Sequence, residues 1–311
     1  MPYLYGRQGE CRALEDVAPF LGSPQKVVPL VEPVVEKTRD LSRALNELEA
    51  NNADVYVVLN PSRYKLQTDQ ARKTWSTALA AELSASHIRP TLELRNGVGL
   101  SDLRVFAKTH SSKHIGVSIR DDVITASDIL TATSLVTTTF FVHASAAAGN
   151  YLSALPSAQL VEVRDSFRTE VRNADYLGEE HFTSAHQSAA AAGHAGFADF
   201  TILPGTFNAS GGPIGAAVIH FSFVNPADGS VWVQHFVSDE TKQFQSTGPT
   251  KLMEAMTKLD AQASATPARF AWASPGFASY RAQFLTASPT SPTYNKRQQI
   301  AHHIFTAATA I

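Results

Sequence analysis

Residues 89–95 read RPTLELR, a short stretch in which polar and apolar side chains alternate strictly. In a β-strand this alternation places one set on each face, with Pro90, Leu92 and Leu94 opposite Thr91, Glu93 and Arg95. Strands of a closed parallel barrel are covered by helices outside and by one another inside. The apolar set is therefore expected to meet the helices, and the polar set to point into the barrel.

Seven other runs rich in β-branched and apolar residues recur along the chain, separated by stretches with helical spacing. They are 27–34 (VVPLVEPV), 55–60 (VYVVLN), 115–120 (IGVSIR), 139–144 (TFFVHA), 159–165 (QLVEVRD), 198–203 (ADFTIL) and 217–223 (AVIHFSF). Eight βα units predict an α/β fold, a (β/α)8 TIM-like barrel. An open doubly wound sheet is the alternative, but no G-x-G-x-x-G motif follows the first run.

The segment 225–230 (NPADGS) predicts a hairpin turn that leads into 231–237 (VWVQHFV), an added β-hairpin strand after strand eight. The barrel is expected to occupy residues 1–273 as a single domain. Residues 274–311, rich in Ser, Thr, Ala and Pro, are expected to form a C-terminal appendage with a terminal helix.

Composition excludes several classes of protein. A hydrophobic content of 44% can fill a sizeable core, and a net charge of -2 argues against nucleic acid as a partner of a globally basic face. The single cysteine, Cys11, cannot form an internal disulfide. No apolar run reaches the roughly 18 residues that a membrane span needs, and the first residues lack a signal-peptide core. We therefore expect a cytoplasmic protein with no membrane partner.

The same alternation gives every predicted strand an inward polar side chain, and most of these lie near the carboxyl end, where barrel enzymes keep their active sites. Arginine forks suit phosphate or carboxylate oxygens, and a neighbouring glutamate or histidine can act as an acid or base. The predicted catalytic residues are Glu93, Glu162, His143 and His220. The predicted substrate-binding residues are Glu32, Asn60, Arg95, Arg120, Arg164 and Asp199, with Asp165 and Arg172 from the loop after strand six.

Two loops extend this prediction. The segments 165–168 (DSFR) and 172–176 (RNADY) fit either a lid that contributes Arg172 or a solvated loop with local ion pairs. The segment 208–213 (NASGGP) follows strand seven, where barrels often build phosphate sites from backbone N–H groups, and a plain turn fits equally well.

The polar interior has two further interpretations. Its groups could pair as an ion network without chemistry, although burial costs several kcal/mol per ion before compensation. They could also hold a divalent metal such as Zn, Mn or Fe, but no H-x-H, H-E-x-x-H or D-x-D motif is present. We assign no cofactor from the sequence and keep a divalent metal as the alternative.

Several short motifs, taken in order, carry a resemblance. They are 3–10 (YLYGRQGE), 28–33 (VPLVEP), 165–167 (DSF), 172–176 (RNADY), 196–200 (GFADF), 210–213 (SGGP), 217–220 (AVIH) and 235–239 (HFVSD). Together they resemble the phage-type beta-protein family and its bacterial relatives. The resemblance implies a shared fold and site and phage or mobile-element biology, but it names no reaction. It adds to the residues worth testing Arg7, Glu10, Asp175, His235 and Asp239.

The leading hypothesis is an enzyme, a hydrolase or lyase that acts on an anionic, phosphorylated or nucleotide-like small molecule by acid–base chemistry. Arg95, Arg120 and Arg164 would hold the anion while glutamate and histidine move protons. The alternative is a non-catalytic phage- or mobile-element-associated protein that binds a protein partner or a signal molecule, since barrels host many functions.

Overall fold

The computed structural model describes residues 1–22, 24–144, 148–209 and 215–311. Its strands are β1 (Tyr3–Leu4), β2 (Leu30–Val31), β3 (Val55–Val58), β4 (Ile88–Leu94), β5 (Ile115–Ile119), β6 (Thr138–His143), β7 (Leu160–Arg164), β8 (Glu179–Thr183), β9 (Gly196–Asp199), β10 (Val218–Val224) and β11 (Val231–Val237). Its α-helices are α1 (Gln8–Val17), α2 (Arg39–Ala50), α3 (Asp69–Ala78), α4 (Ala80–Ser84), α5 (Leu100–Thr109), α6 (Ala126–Thr133), α7 (Ala148–Ala154), α8 (Ala185–Ala191), α9 (Gly248–Ala265), α10 (Pro275–Leu285) and α11 (Pro292–Ala310).

The chain forms two compact units. The barrel unit comprises Met1–Arg7, Leu21–Asp165 and Ala185–Phe200, and the sheet unit comprises Gln8–Phe20, Ser166–Ser184 and Thr201–Ile311. Each has a hydrophobic core of its own. In the part of the chain that the structure describes, no helix is both long and apolar enough to cross a membrane.

Among the described residues, eight parallel strands form the barrel in the order β1-β2-β3-β4-β5-β6-β7-β9. The ring closes through a parallel bridge between Pro2 and Asp199, where the Asp199 backbone N–H donates to the Met1 carbonyl at 3.2 Å. Helices α2 to α8 lie between strands of the ring. The predicted (β/α)8 TIM-like fold is confirmed.

The first and last barrel strands were predicted wrongly. The first is β1, which is only two residues long, so the run 27–34 supplies the second strand. The last is β9, whereas the run 217–223 forms most of β10 outside the ring. Apolar composition cannot separate a barrel strand from a hairpin strand, because each buries at least one face.

Alternation decides which barrel side chains meet the helices. Leu92 and Leu94 of β4 and Val117 of β5 are buried in one cluster with Leu103 and Phe106 of α5. Burying such a side chain stabilises the fold by about 1.5–3 kcal/mol. The opposite set of β4 points into the ring, as predicted.

Hydroxyl side chains fix the starts of several helices. A side-chain oxygen accepts a hydrogen bond from the backbone N–H three residues further on, which satisfies a donor that the helix leaves unpaired. The capping residues are Thr68, Thr125, Thr247, Ser274 and Ser291. Each cap contributes about 1 kcal/mol of stability.

The sheet unit is built on an antiparallel sheet of order β10-β11-β8. The predicted strand 231–237 is confirmed as β11, and its turn is closed by Asn225, whose N–H donates to the Ser230 carbonyl at 2.8 Å. Gly229 has φ 73°, a conformation that favours glycine at this turn. One face of the sheet, which includes Phe221, packs on α9 and α10.

Residues 274–311, predicted as an appendage, form α10 and α11 and belong to the sheet unit. The ring of His302 on α11 stacks on Phe221, with ring centres 3.6 Å apart. Helix α11 also meets α1, where the Arg297 guanidinium makes two hydrogen bonds of 2.6 Å with the Asp16 carboxylate.

Candidate active site

The carboxyl ends of strands β1 to β6 bring polar side chains together inside the ring. In the parallel register Glu93 of β4 lies beside Ser118 of β5, which lies beside Phe141, two residues before His143. Residues paired in this way point to the same face. We call the resulting set the barrel cluster; its members are Tyr3, Tyr5, Glu32, Asn60, Arg63, Glu93, Arg95, Ser118, Arg120 and His143.

Arg120 lies at the centre of the barrel cluster. Its Nη2 is 2.8 Å from Glu32 Oε2, and its Nε donates to Glu93 Oε2, so one guanidinium joins two carboxylates. The Tyr3 hydroxyl donates to Glu32 Oε2 at 2.7 Å and accepts from Arg120 Nη2. Charge-assisted hydrogen bonds of this kind are about twice as strong as neutral ones. The two buried glutamates are therefore joined to each other through Arg120, and Tyr3 of β1 bonds to both Glu32 and Arg120.

Two further arginines lie on the outer side of the same carboxylates. Arg63 Nε is 2.8 Å from Glu32 Oε1, and Arg95 Nε is 3.4 Å from Glu93 Oε1. The side chains of Arg63 and Arg95 are 33% and 22% exposed, whereas both glutamates are 0% exposed. The five groups carry three positive and two negative charges. Positive charge is thus in excess, on the side nearer to solvent.

Arg63 was not among the predicted site residues. It lies in the loop after β3, three residues beyond Asn60 and outside any alternating pattern. Its position in a loop that follows the carboxyl end of a strand is the feature that could have indicated it. Tyr3 was missed because a two-residue strand is too short to show alternation.

Asn60 takes a different role from the predicted one. Its Nδ2 donates to the Glu93 carbonyl at 2.9 Å, and its Oδ1 accepts from the Glu93 N–H at 2.8 Å. Both ends of the amide are thereby engaged with one backbone residue. Asn60 positions Glu93 and joins the end of β3 to β4.

Burial controls the proton affinities of the acidic groups. Burial, reinforced by the charge of Glu32, raises the pKa of Glu93, although Arg120 and Arg63 act in the opposite direction. Burial also raises the pKa of Tyr5 to about 12. Burial by itself lowers the pKa of Arg120, but Tyr3 and the two glutamates outweigh it, so this guanidinium stays charged. Glu93 therefore holds its proton more firmly than an ordinary carboxyl does.

His143 is the base of the cluster. Its Nε2 lies 2.9 Å from the Ser118 hydroxyl oxygen, and its ring meets the Tyr3 ring edge-on with centres 5.4 Å apart. Burial, together with the positive charges of Arg120 and Arg63, lowers the pKa of His143 well below its usual value. The imidazole is therefore neutral at pH 7 and can accept a proton.

Four predicted site residues of the barrel unit lie away from the cluster. In β7, Val161 and Val163 occupy the inward positions, so Glu162 and Arg164 face outward and pair with each other at 2.7 Å. Asp165, the next residue, is exposed. The predicted register of this strand was wrong by one residue, which turns every side chain to the other face.

Asp199 in β9 likewise does not face the cluster. The next residue, Phe200, turns inward, with its ring centre 4.7 Å from that of Tyr3 and 6.4 Å from that of His143. By alternation Asp199 then lies on the opposite face. Its backbone closes the ring next to Met1.

The two remaining predicted residues belong to the sheet unit. His220 lies in β10, which pairs antiparallel with β11, and its assignment to the barrel interior was wrong. Arg172 is exposed and makes a two-bond ion pair with Asp175 at 2.6 and 3.0 Å. The local ion pair is the alternative that the sequence left open for this loop. Four of the six residues of the predicted phosphate loop 208–213, residues 210–213, lie outside the described part of the chain.

Across residues 1–22, 24–144, 148–209 and 215–311, no group of three His, Cys, Asp or Glu side chains is arranged to hold a metal ion. No protein-family model, curated protein or solved structure matches this chain. The resemblance to the phage-type beta-protein family therefore stays a prediction, and the site must be argued from its own geometry.

Proposed function

We propose that the barrel cluster is an active site that binds an anionic small molecule and acts on it by acid–base chemistry, as a hydrolase or a lyase. The observation that carries this proposal is the excess of positive charge, three guanidinium groups over two carboxylates, at the carboxyl end of the strands. An excess positive charge that is half-buried carries a desolvation cost unless an opposite charge neutralises it, and a bound anion supplies that opposite charge. Barrel enzymes bind substrate at this end.

Arg63 and Arg95 are the groups that would bind the anion. Each lies within ion-pair distance of a buried glutamate through its Nε and keeps part of its side chain in solvent, where an anion can reach it. The Arg95 Nη2 also donates to the Asn60 carbonyl at 3.2 Å, which orients this guanidinium. A guanidinium fork matches the oxygens of a phosphate or carboxylate. A phosphorylated or nucleotide-like small molecule is the substrate class that this chemistry favours.

Glu93 and His143 would move the protons. The raised pKa of Glu93 suits a carboxyl that donates a proton to a leaving group. The lowered pKa of His143 leaves a neutral imidazole that can accept one. Arg120 and Asn60 would position Glu93, since both are bonded to it.

Anion binding is tested by thermal unfolding in the presence of inorganic phosphate, sugar phosphates and nucleotides. A ligand present at 100 times its Kd should stabilise the wild type by about 2.7 kcal/mol, visible as a rise in Tm. Arg63→Met and Arg95→Met should each weaken this effect at least about tenfold in Kd. Arg164→Met is the matched control, because its guanidinium lies at the carboxyl end of β7 but faces outward, and it should leave the effect unchanged. The proposal that the barrel cluster binds an anion would be wrong if no anion stabilised the wild type. It would also be wrong if both arginine variants responded like the control.

Catalysis is tested with whichever anion binds. Glu93→Gln should lower kcat by about 10²- to 10⁴-fold while ligand-induced stabilisation persists, because the amide keeps the shape but cannot donate a carboxyl proton. Binding without any turnover by the wild type would favour a non-catalytic phage- or mobile-element-associated binding protein. The observation that favours this second candidate is the complete burial of both glutamates.

A further inference from the structure

The sheet unit holds a second group of buried polar side chains. His220 of β10 and His235 of β11 are direct partners in the antiparallel register, and their Nδ1 atoms are 2.8 Å apart. Glu180 of β8 lies on the far side of His235, with Oε1 3.2 Å from His235 Nε2. Three adjacent strands thus line up a carboxylate and two imidazoles.

These contacts fix where the protons are. His235 must carry its proton on Nε2 to donate to Glu180, so its Nδ1 is an acceptor in the neutral ring. His220 must then donate from Nδ1, so in the neutral ring its Nε2 carries no proton. One proton therefore lies between the two Nδ1 atoms.

The geometry suits this shared proton better than a metal ion. The ring centres are 5.0 Å apart and the planes meet at 84°, so the two nitrogens point at each other along the line between the rings. Metal-binding nitrogens would instead converge on a third point about 2.0–2.1 Å from each.

Loop 166–178 packs on the histidine pair through two aromatic rings. The ring centre of Tyr176 lies 4.5 Å from that of His220 and 4.9 Å from that of His235. The ring centre of Phe167 lies 4.9 Å from that of His220. These rings are close to the two ends of the loop, so the histidine pair is the surface on which both ends rest.

The middle of the loop is exposed to solvent. Val171 in the middle of the loop and Leu177 near its end have largely exposed side chains, although both are apolar. Within the loop the Tyr176 hydroxyl accepts from the Glu170 N–H at 3.1 Å, and Asn173 donates to the carbonyl of Ala216, outside the loop, at 3.0 Å. Segments with few buried contacts open at low free-energy cost, so the aromatic contacts are expected to decide whether the loop stays closed.

Charges on every side of the pair bias its protonation. Burial lowers the pKa of His220 well below its usual value, helped by His235 and by Lys296 of α11. Burial also lowers the pKa of His235, against the opposing charges of Glu180 and of Glu170 in the loop, and Arg168 of the loop reinforces the lowering. Both rings are therefore neutral at pH 7.

We propose that the His220–His235 pair is an acid-sensitive latch that holds loop 166–178 closed and releases it when both rings become protonated. A first added proton can go to His220 Nε2 and leave the shared hydrogen bond intact. A second, on His235 Nδ1, sets two N–H donors face to face at a separation that now repels. The rings separate, and Phe167 and Tyr176 lose the surface on which they pack. Since both histidines bind protons less readily in the folded chain, the latch opens only below the ordinary histidine pKa of about 6.5.

Hydrogen–deuterium exchange of the full chain tests the latch. After correction for the intrinsic exchange rate, amides of loop 166–178 should exchange at least about tenfold faster at about pH 5 than at about pH 7.5. Amides of α9, which belongs to the same sheet unit as the loop, should stay protected, and this separates loop release from acid unfolding of that unit. Equal protection of the loop at both pH values would overturn the proposal.

His220→Asn is the decisive variant, because the Asn side-chain NH2 can still donate to His235 Nδ1 but does not titrate. Because the pair can then no longer take up two protons, its loop should exchange at the same corrected rate at both pH values, whatever that rate is. His181→Asn is the matched control, an exposed histidine of β8 bonded to Ser184, and it should behave like the wild type. An increase in loop exchange between about pH 7.5 and about pH 5 as large in His220→Asn as in the wild type would contradict the latch.

Two substitutions of neighbouring charges should shift the opening in opposite directions, and they keep the test decisive if His220→Asn does not fold. Glu180→Gln removes a charge that favours protonated His235, so the midpoint should move to lower pH. Lys296→Gln removes a charge that disfavours protonated His220, so the midpoint should move to higher pH. If the pH midpoint of loop opening stayed at the wild-type value in both variants, groups other than the histidine pair would be responsible for the acid response, and the proposal would be wrong.

Discussion

Strands β4 and β7 end in the same pattern, Glu-x-Arg, yet the barrel uses it in opposite ways. In β4 the side chain of Glu93 is 0% exposed and points into the ring. In β7 the side chain of Glu162 is 21% exposed, and that of Arg164 is 49% exposed. One copy forms part of the barrel cluster, and the other is an ordinary surface ion pair.

The difference lies in what each carboxylate can reach. Glu93 meets Arg120 on the neighbouring strand, and that guanidinium also holds Glu32, so the cost of burying the charge is offset. In β7 the inward positions are taken by Val161 and Val163, beside Phe141 and His143. An alternating pattern defines two faces but does not state which one is inside; the neighbouring strands decide that.

The largest expected effect comes from removing the central guanidinium. Arg120→Met should lower the free energy of unfolding by about 3–5 kcal/mol, because it leaves two buried carboxylates without their shared partner. Urea denaturation measures the change. Arg164→Met should stay within about 0.5 kcal/mol of wild type. Similar values for the two variants would mean that the barrel cluster is solvated like the pair on β7.

An intermediate effect concerns the pH dependence of stability. Since burial raises the pKa of Glu93, the folded chain keeps this proton at pH values where the unfolded chain has lost it. The corresponding stability is present below the ordinary glutamate pKa and is lost as the pH rises through the raised pKa. Glu93→Gln should remove this loss, which is on the order of 1 kcal/mol.

Glu162→Gln is the matched control for that experiment and should leave the wild-type pH profile unchanged. Urea midpoints measured from about pH 4 to about pH 8 distinguish the two variants. If both variants changed the profile equally, the pKa of Glu93 would not reflect its burial.

The smallest effect is expected for the outward ion pair itself. A double-mutant cycle of Glu162→Ala and Arg164→Ala should give a coupling energy of about 0.2–1 kcal/mol, as for exposed pairs. The coupling should weaken in high salt. A larger, salt-independent value would place this pair in a buried environment.

Several parts of the site could be predicted from the sequence. Strand β4 alternates strictly, and the inward residues Glu93, Ser118, Arg120 and His143 that were predicted for β4, β5 and β6 do meet. The eighth predicted strand failed because its apolar run belongs to a hairpin, which moved His220 out of the barrel. Arg63 escaped prediction because no periodicity governs a loop.

The sequence by itself determined that βα units alternate, that their number suits a closed ring, and that charged side chains recur near the ends of the strands. These follow from local periodicity, which a short window of residues already contains. Tertiary structure alone decided that Tyr3–Leu4 and β9 complete the ring, and which Glu-x-Arg faces inward. It also set two histidines side by side across a hairpin. Such choices depend on the partners that strands distant in the chain bring, because a buried charge or a shared proton is stable only where a complementary group faces it.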